Sequence, residues 1–96
     1  MARIIRTRSA ESDVIAIAGH IAADNPAAAE RWVDELDETL ALIAAFPLSG
    51  ERVDHLAAGL RRHCYGSYLL FYRPLDDGIE LRRVLHGARR IEDLFD

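Results

Sequence analysis

The hydrophobic residues of this chain follow two different periods, and the change of period separates predicted helices from predicted strands. In the first half, apolar side chains recur every three or four residues, which is the pattern of a helix face packed on a core. The first stripe comprises Ala10, Val14, Ile17, Ala18 and Ile21, and the second comprises Ala29, Trp32, Val33, Leu36, Leu40 and Ile43. Ser9 and Asn25 are predicted to cap the two helices, and Phe46-Pro47 ends the second one. Because the connection between them is short, we expect an antiparallel helical hairpin.

In the second half the pattern changes to that of strands. The run Tyr68–Tyr72 is rich in aromatic residues, which favour a pleated surface. Gly66-Ser67 and Asp76-Asp77-Gly78 are turn sequences on either side of it, and Pro74 is expected to end the strand or to lie at an edge. The predicted strands are Arg3–Thr7, Arg62–Tyr65, Tyr68–Arg73 and Ile79–His86. The last three should form an antiparallel meander.

The order β-α-α-β-β-β predicts an α+β fold of two layers, with the helical hairpin packed on one face of a small, mostly antiparallel sheet. We expect this fold to occupy residues 1–96 as one domain, since a chain of 96 residues builds a single core. Leu48–Gly59 is predicted to be a loop with one helical turn at Val53–Ala57. Ala88–Phe95 is predicted to form a short C-terminal helix.

The central strand is apolar on both of its sides. Tyr68, Leu70 and Tyr72 lie on one side, and Leu69 and Phe71 lie on the other. Because one layer of helices covers only one face, we predict that the second face is exposed or covered by a partner. The alternative is that the tyrosines lie at the boundary with water, with their hydroxyls hydrated.

Charge divides the chain into two unlike halves. All 12 basic residues are arginines: residues 9–58 contain two of them and ten acidic residues, whereas residues 60–90 contain seven and three acidic residues. We expect the basic half to bind an anionic partner such as nucleic acid, an acidic peptide or phosphate. The alternative is that the arginines are solvated or pair with the acidic helices.

The lengths of the apolar runs and the single cysteine bear on where in the cell the protein is expected. No apolar run approaches the roughly 20 residues of a membrane span, and the N-terminus lacks the apolar region of a signal peptide. We therefore predict a soluble cytoplasmic protein that does not contact the membrane. Cys64 cannot form a disulfide within the chain, and we expect it to be a small buried side chain.

The chain offers few residues for catalysis. One cysteine and four histidines without ligand spacing predict neither a metal site nor a cofactor. A metal-independent ribonuclease needs a general base, a general acid and cations around the phosphate. His86, Tyr68, Tyr72 and the arginines at 61, 62 and 83 form the one candidate set. The alternative is that His86 is a hydrogen-bonded structural residue.

Several short sequences, taken in order, resemble the ParE branch of the RelE/ParE toxins. They are Ser9–Asp13, Ile21–Ala29, Phe46–Gly50, Gly59–Arg62, Tyr68–Arg73 and Arg83–Arg89. The resemblance covers nearly the whole chain and implies the toxin half of a type II toxin–antitoxin pair, with the β-α-α-β-β-β fold. It also implies a ParD-like antitoxin, typically a DNA-binding ribbon-helix-helix protein, whose C-terminal segment wraps the toxin in a hetero-oligomer. Such a segment would be a partner for an uncovered sheet face.

Two activities occur in the superfamily that the chain resembles. RelE-like members cut mRNA on the ribosome with basic residues, often lysines, and with acid/base side chains, whereas ParE-like members are associated with inhibition of DNA gyrase. The absence of lysine favours the non-enzymatic gyrase inhibitor, which has no catalytic residues. The alternative is a ribosome-dependent ribonuclease that uses His86, Arg62, Arg83 and Tyr72. The residues predicted to bind the antitoxin or the target are Arg61, Arg62, Tyr68, Leu70, Tyr72, Arg82, Arg83, Arg89 and Arg90.

Overall fold

The computed structural model describes residues 2–89 and 91, and these form two helices and five strands. The helices are α1 (Arg8–Asp24) and α2 (Pro26–Ala45). The strands are β1 (Arg3–Arg6), β2 (Glu51–Arg52), β3 (Arg61–Tyr65), β4 (Tyr68–Leu75) and β5 (Gly78–His86). Within the described residues, neither helix is long and apolar enough to cross a membrane.

The strands form one sheet in the order β1-β5-β4-β3-β2, with the helical hairpin on one face. β1 runs parallel to β5, and every other pairing is antiparallel. The α+β prediction is confirmed, including the meander of β3, β4 and β5. β2 was predicted as part of a loop, because a strand of two residues has no period that a sequence pattern can reveal.

The helix termini follow the predicted chemistry with one exception. Asn25 caps α2, and its side-chain oxygen accepts a hydrogen bond from the Ala28 amide. The predicted cap of α1 was wrong by two residues: Thr7, not Ser9, is the N-cap. The Thr7 hydroxyl accepts from the Ala10 amide at 3.1 Å and donates to the Arg82 carbonyl at 3.0 Å. Thr7 therefore begins α1 and ties it to β5 at the same time.

Apolar side chains pack on both faces of the sheet. The larger cluster lies between the helices and the sheet and includes Leu36, Leu40, Leu70, Tyr72 and Ile79. A second cluster lies on the opposite side of β4 and β5, and it consists of Val53, Leu60, Phe71, Leu85 and Ile91, with Leu56, Ala57 and Leu69 against it. Our prediction that this face lacks a cover from the chain itself was wrong. The irregular segment after β2, together with Leu85 and Ile91, supplies the apolar side chains around Phe71, which is 0% exposed.

The segment that covers the second face consists of turns rather than the predicted helical turn. The Asp54 carboxylate holds it, accepting from the Gly59 amide at 3.0 Å and from the Arg52 guanidinium at 2.9 Å. These two donors lower the pKa of Asp54, with the Gly59 amide as the larger cause. Gly59 has a φ of +76°, which an L side chain rarely adopts, so a glycine suits this turn.

The structure differs from the predictions for Pro74 and Cys64, and it describes only part of the predicted C-terminal helix. β4 continues past Pro74 to Leu75, and Pro74 pairs with β5 at a point where β3 no longer lies beside β4, so the missing amide removes no bond to a second neighbour. Cys64 is exposed rather than buried. Ala88 and Arg89 lie in a turn after β5, and most of the predicted C-terminal helix lies outside the described residues.

Candidate functional site

Arg83 is fixed to the helical layer. Its Nε and Nη2 donate to the two carboxylate oxygens of Asp13 at 2.7 and 3.1 Å, and the Val84 amide donates to the same carboxylate at 2.9 Å. The hydrogen bonds from Arg83 to Asp13 raise the pKa of the guanidinium, and partial burial opposes this rise. Through Asp13, α1 thus accepts a hydrogen bond from the backbone of β5 at a position beyond the end of β1. Arg83 joins the helical layer to the sheet.

Two other arginines of the predicted site form ion pairs at the surface. The Arg62 Nε donates to the Glu51 carboxylate at 3.1 Å, and Arg82 lies 3.2 Å from the Glu80 carboxylate. Exposed pairs of this kind contribute little to stability, so both guanidinium groups can exchange their partner for another anion. Arg6 also pairs with Asp37, across the two layers.

Arg61 and Arg73 differ from the other arginines of the sheet, because neither has a carboxylate partner among the described residues. Arg61 Nη1 donates to the carbonyl oxygens of Leu48 and Gly50 at 3.0 and 2.8 Å, and Arg73 Nη2 donates to the Ala58 carbonyl at 2.7 Å. Both line a cavity of about 400 Å³, here called the arginine pocket, whose walls include Leu48, Arg52, Asp54, Gly59, Arg61 and Arg73. Arg73 is not among the predicted site residues, although it directly follows the aromatic run of β4.

Tyr72 and Leu70 are core residues, which corrects their prediction as binding residues. Both are 0% exposed. The Tyr72 hydroxyl donates to the Pro47 carbonyl and accepts from the Gly50 amide, each at 2.8 Å. These bonds fix the loop between α2 and β2, so the hydroxyl is not available to a partner or a substrate.

The end of the sheet near His86 forms a second cavity, here called the His86 cleft, of about 310 Å³. Its walls include Asp13, Ile17, His20, Tyr68, His86 and Arg89. The ring of Tyr68 packs edge-on against His86 at a centroid distance of 5.4 Å and against Trp32 at 5.5 Å. The His86 Nδ1 accepts a hydrogen bond from the Ala88 amide at 3.1 Å, so this histidine holds the turn after β5. Arg90 lies outside the described residues.

The four candidate residues of a ribonuclease do not meet in one cleft. His86 lines the His86 cleft, Tyr72 is buried, Arg83 is bound to Asp13, and Arg62 is paired with Glu51. In residues 2–89 and 91, no group of three or more His, Cys, Asp or Glu side chains is placed to hold a metal ion. What the fold does present is arginine-lined surface with apolar residues beside it, which suits binding to an anionic, partly apolar partner.

Comparison with known proteins places these features in a family. A profile described as "ParE toxin of type II toxin-antitoxin system, parDE" matches residues 4–91. Proteins named Toxin ParE1 from two strains of Mycobacterium tuberculosis are 39% identical over 65 residues, which is 67% of this chain and 66% of each relative. Toxin ParE1 of Caulobacter vibrioides is 40% identical over 57 residues, which is 59% of this chain and 58% of the relative.

A solved structure described as "Chromosomal ParDE TA system from P. aeruginosa" has the same fold, with a TM-score of 0.72 at 21% identity, covering 90% of this chain and 96% of that one. The curated relatives match over less than two thirds of their own lengths. The family profile, in contrast, extends from β1 to the last described residue and so includes every helix and strand of the fold. The chain belongs to the ParE toxin family of type II toxin–antitoxin systems.

Proposed function

We propose that this protein is a toxin that binds DNA gyrase and inhibits it without catalysing a reaction, and that a co-encoded ParD-like antitoxin neutralises it. The observation that carries the proposal is the family match over residues 4–91. Because the proposed target acts on the bacterial chromosome, we place the protein in the cytoplasm.

The state of the candidate catalytic residues supports a binding toxin. General acid–base catalysis requires a side chain within hydrogen-bond reach of the substrate proton. Tyr72 is 0% exposed and its hydroxyl is bound to loop backbone, and Arg83 is engaged by Asp13. A phosphodiester at the surface therefore cannot reach the Tyr72 hydroxyl, and Arg83 would have to leave Asp13 to bind it. From the predicted set, the ribonuclease alternative retains His86 and Tyr68 in the His86 cleft, and the partly exposed Arg61 and Arg62 at a different place on the sheet.

The antitoxin is proposed to be a small ribbon-helix-helix protein whose acidic segment contacts the basic half of the toxin in a hetero-oligomer. Of the predicted binding residues, Arg61, Arg62, Tyr68 and Arg82 are partly exposed and Arg89 is exposed. A specific complex should bury on the order of 1,200 Å² or more of surface. A pull-down with the protein encoded beside this chain should recover a stable complex.

The test of the target is to produce the toxin without antitoxin and to measure plasmid supercoiling and mRNA ends in the same culture. We expect lost negative supercoiling and no codon-positioned mRNA cuts. His86→Gln should leave the supercoiling effect in place if the variant folds. His55→Gln is the matched control, because His55 is an exposed histidine in the turn after β2.

Codon-positioned cuts that disappear in His86→Gln and persist in His55→Gln, with normal supercoiling, would overturn the proposal in favour of the ribonuclease. A general acid or base contributes roughly 10²–10⁴-fold to a rate, so the loss would be easy to measure. Purified protein assayed with gyrase and with a translation system then separates a direct effect from one caused by stalled growth.

A further inference from the structure

The arginine pocket contains more positive than negative charge. Arg52, Arg61 and Arg73 line it, and Asp54 is the acidic residue in its wall, already bound to Arg52. Arg61 and Arg73 bond only to backbone carbonyls among the described residues. Each guanidinium has five N–H donors, so each retains donors that can turn toward an anion in the pocket.

Both guanidinium groups are held in place before any ligand arrives. Arg61 is fixed to the carbonyl oxygens at 48 and 50, in a loop that the buried Tyr72 hydroxyl holds in turn. Arg73 lies under Gly59, where a Cβ would come within 3.5 Å of its Nε. Side chains that are already ordered lose less conformational entropy on binding, so such a pocket binds more tightly than two mobile arginines would.

An apolar ridge adjoins the pocket. Leu42, Phe46 and Leu48 are 63%, 64% and 70% exposed, which is unusual for three large apolar side chains within seven residues. Leu42 lies in the last turn of α2, and Phe46 is the C-cap of this helix, whose amide donates to the Leu42 carbonyl at 3.3 Å. Phe46 and Leu48 line one shallow depression, and Leu48 also lines the arginine pocket, so this part of the ridge is continuous with the pocket.

The side chains of the ridge and of the arginine pocket favour one kind of partner. A planar carboxylate matches the donor geometry of a guanidinium, and leucine-like side chains match the ridge. Nucleic acid fits less well, because two of the three ridge residues, Leu42 and Leu48, offer no ring for a base to stack on. An acidic amphipathic peptide can place a carboxylate in the arginine pocket and apolar side chains on the ridge at the same time.

We propose that the ridge and the arginine pocket together are a docking groove for an acidic amphipathic segment of a partner protein, with a carboxylate between Arg61 and Arg73 and apolar side chains on Leu42, Phe46 and Leu48. This inference rests on the proposed function, in which the segment belongs to the antitoxin. It places that contact at the corner between α2, β2 and β3, away from the His86 cleft.

The first experiment uses a short synthetic probe, acetyl-Glu-Leu-Leu-Glu-amide, with the glutamine peptide of the same sequence as a neutral control. The side-chain Nε–Hε signals of Arg61 and Arg73 should shift with the acidic peptide and not with the neutral one. Inorganic phosphate is titrated in parallel. Equal shifts with both peptides would show a general polar surface and overturn the proposal. The proposal is also overturned if phosphate binds and Leu48→Ser leaves peptide binding unchanged, because the site would then bind anions without using the apolar ridge.

The second experiment measures the affinity of the full-length toxin for the protein encoded beside it. Arg73→Gln removes the charge and the Nη2 donor but keeps an N–H donor at the position of Nε, and it should weaken binding about tenfold or more. Leu48→Ser should weaken binding as well. Arg31→Gln and Ile15→Ser are matched controls, because Arg31 is exposed on α2 with no acidic partner among the described residues and Ile15 is 67% exposed. Thermal melting confirms that each variant folds.

The outcomes separate this inference from the proposed function. If the neighbour-encoded protein binds wild type, Arg73→Gln and Leu48→Ser with equal affinity, the groove is not its docking site and the inference fails, while the proposed function stands. If that protein does not bind wild type at all, both fail. A tenfold loss in the groove variants with unchanged controls, and a weaker salt dependence in Arg73→Gln, supports the groove.

Discussion

At the scale of single residues, the Tyr72 hydroxyl links the core to the loop that follows α2. The ring is buried between the helices and the sheet, while the hydroxyl donates to Pro47 and accepts from Gly50. Without such a partner, the buried Gly50 amide and the part-buried Pro47 carbonyl would lose their hydrogen bonds, which is costly. One side chain thus sets the conformation of the loop that carries the apolar ridge.

We expect Tyr72→Phe to lower the free energy of unfolding by about 1–3 kcal/mol, because it leaves the Gly50 amide and the Pro47 carbonyl without their partner. Urea denaturation measures the change. Tyr68→Phe is the control, since its hydroxyl makes no hydrogen bond to a described residue and its loss should cost less than about 0.5 kcal/mol. Equal stabilities for Tyr72→Phe and wild type would show that water replaces the hydroxyl.

At the scale of elements, the attachment of β1 depends on a close approach of backbones. β1 pairs in parallel with the start of β5, where Arg3 lies opposite Gly78. A Cβ added at Gly78 would lie 1.8 Å from the Arg3 carbonyl oxygen, far inside any real contact distance. The requirement for glycine at position 78 is therefore steric and comes from the neighbouring strand β1. The sequence of the turn itself does not reveal it.

Gly78→Ala should therefore detach or displace β1. Amide hydrogen exchange within residues 3–6 should become fast, while the meander of β3, β4 and β5 stays protected. The contrasting control is Gly19→Ala on α1, where nothing lies within 4 Å of an added Cβ and helix propensity predicts a gain of up to about 1 kcal/mol. Protected amides in β1 of Gly78→Ala would mean that the strand can shift without unpairing.

At the scale of the whole molecule, the acidic helical layer and the basic sheet are joined by both charge and aromatic contacts. Arg83 pairs with Asp13 and Arg6 pairs with Asp37 across the layers. Trp32 of α2 packs against Tyr65 and Tyr68, and the Tyr65 hydroxyl donates to the Trp32 carbonyl at 2.6 Å. Burial, followed by the nearby carboxylates of α2, raises the pKa of Tyr65.

Trp32 is partly buried at the margin of the core rather than enclosed by it. We expect Trp32→Ala to lower the free energy of unfolding by about 3 kcal/mol, at the lower end of the range for large aromatic truncations. Thermal or urea unfolding provides the measurement, and Ile15→Ala, on the exposed side of α1, should change stability little. A melting temperature equal to that of wild type would show that the two layers hold together without Trp32.

The sequence by itself determined the helices, the meander and their order. The stripes ending at Ile21 and Ile43, the Asn25 cap and the turn at Gly66 depend on neighbours a few residues apart, and those neighbours are visible in the chain. The candidate site was partly predictable for the same reason: Arg61 and Arg62 follow a glycine turn in a basic segment. Composition predicted a basic surface for an anionic partner, but it did not predict the position of the proposed groove.

Only the tertiary structure decided which arginines are engaged and which are available. Arg83 meets Asp13 from 70 residues away, and Tyr72, predicted to bind a partner, is fixed by Pro47 and Gly50. The second face of the sheet is covered by turns whose apolar residues follow no period. The place of Arg73 in the arginine pocket depends on the loop at Gly59 that lies against it. Each of these outcomes depends on contacts between residues far apart in the chain, and the local periodicity of a sequence does not encode such contacts.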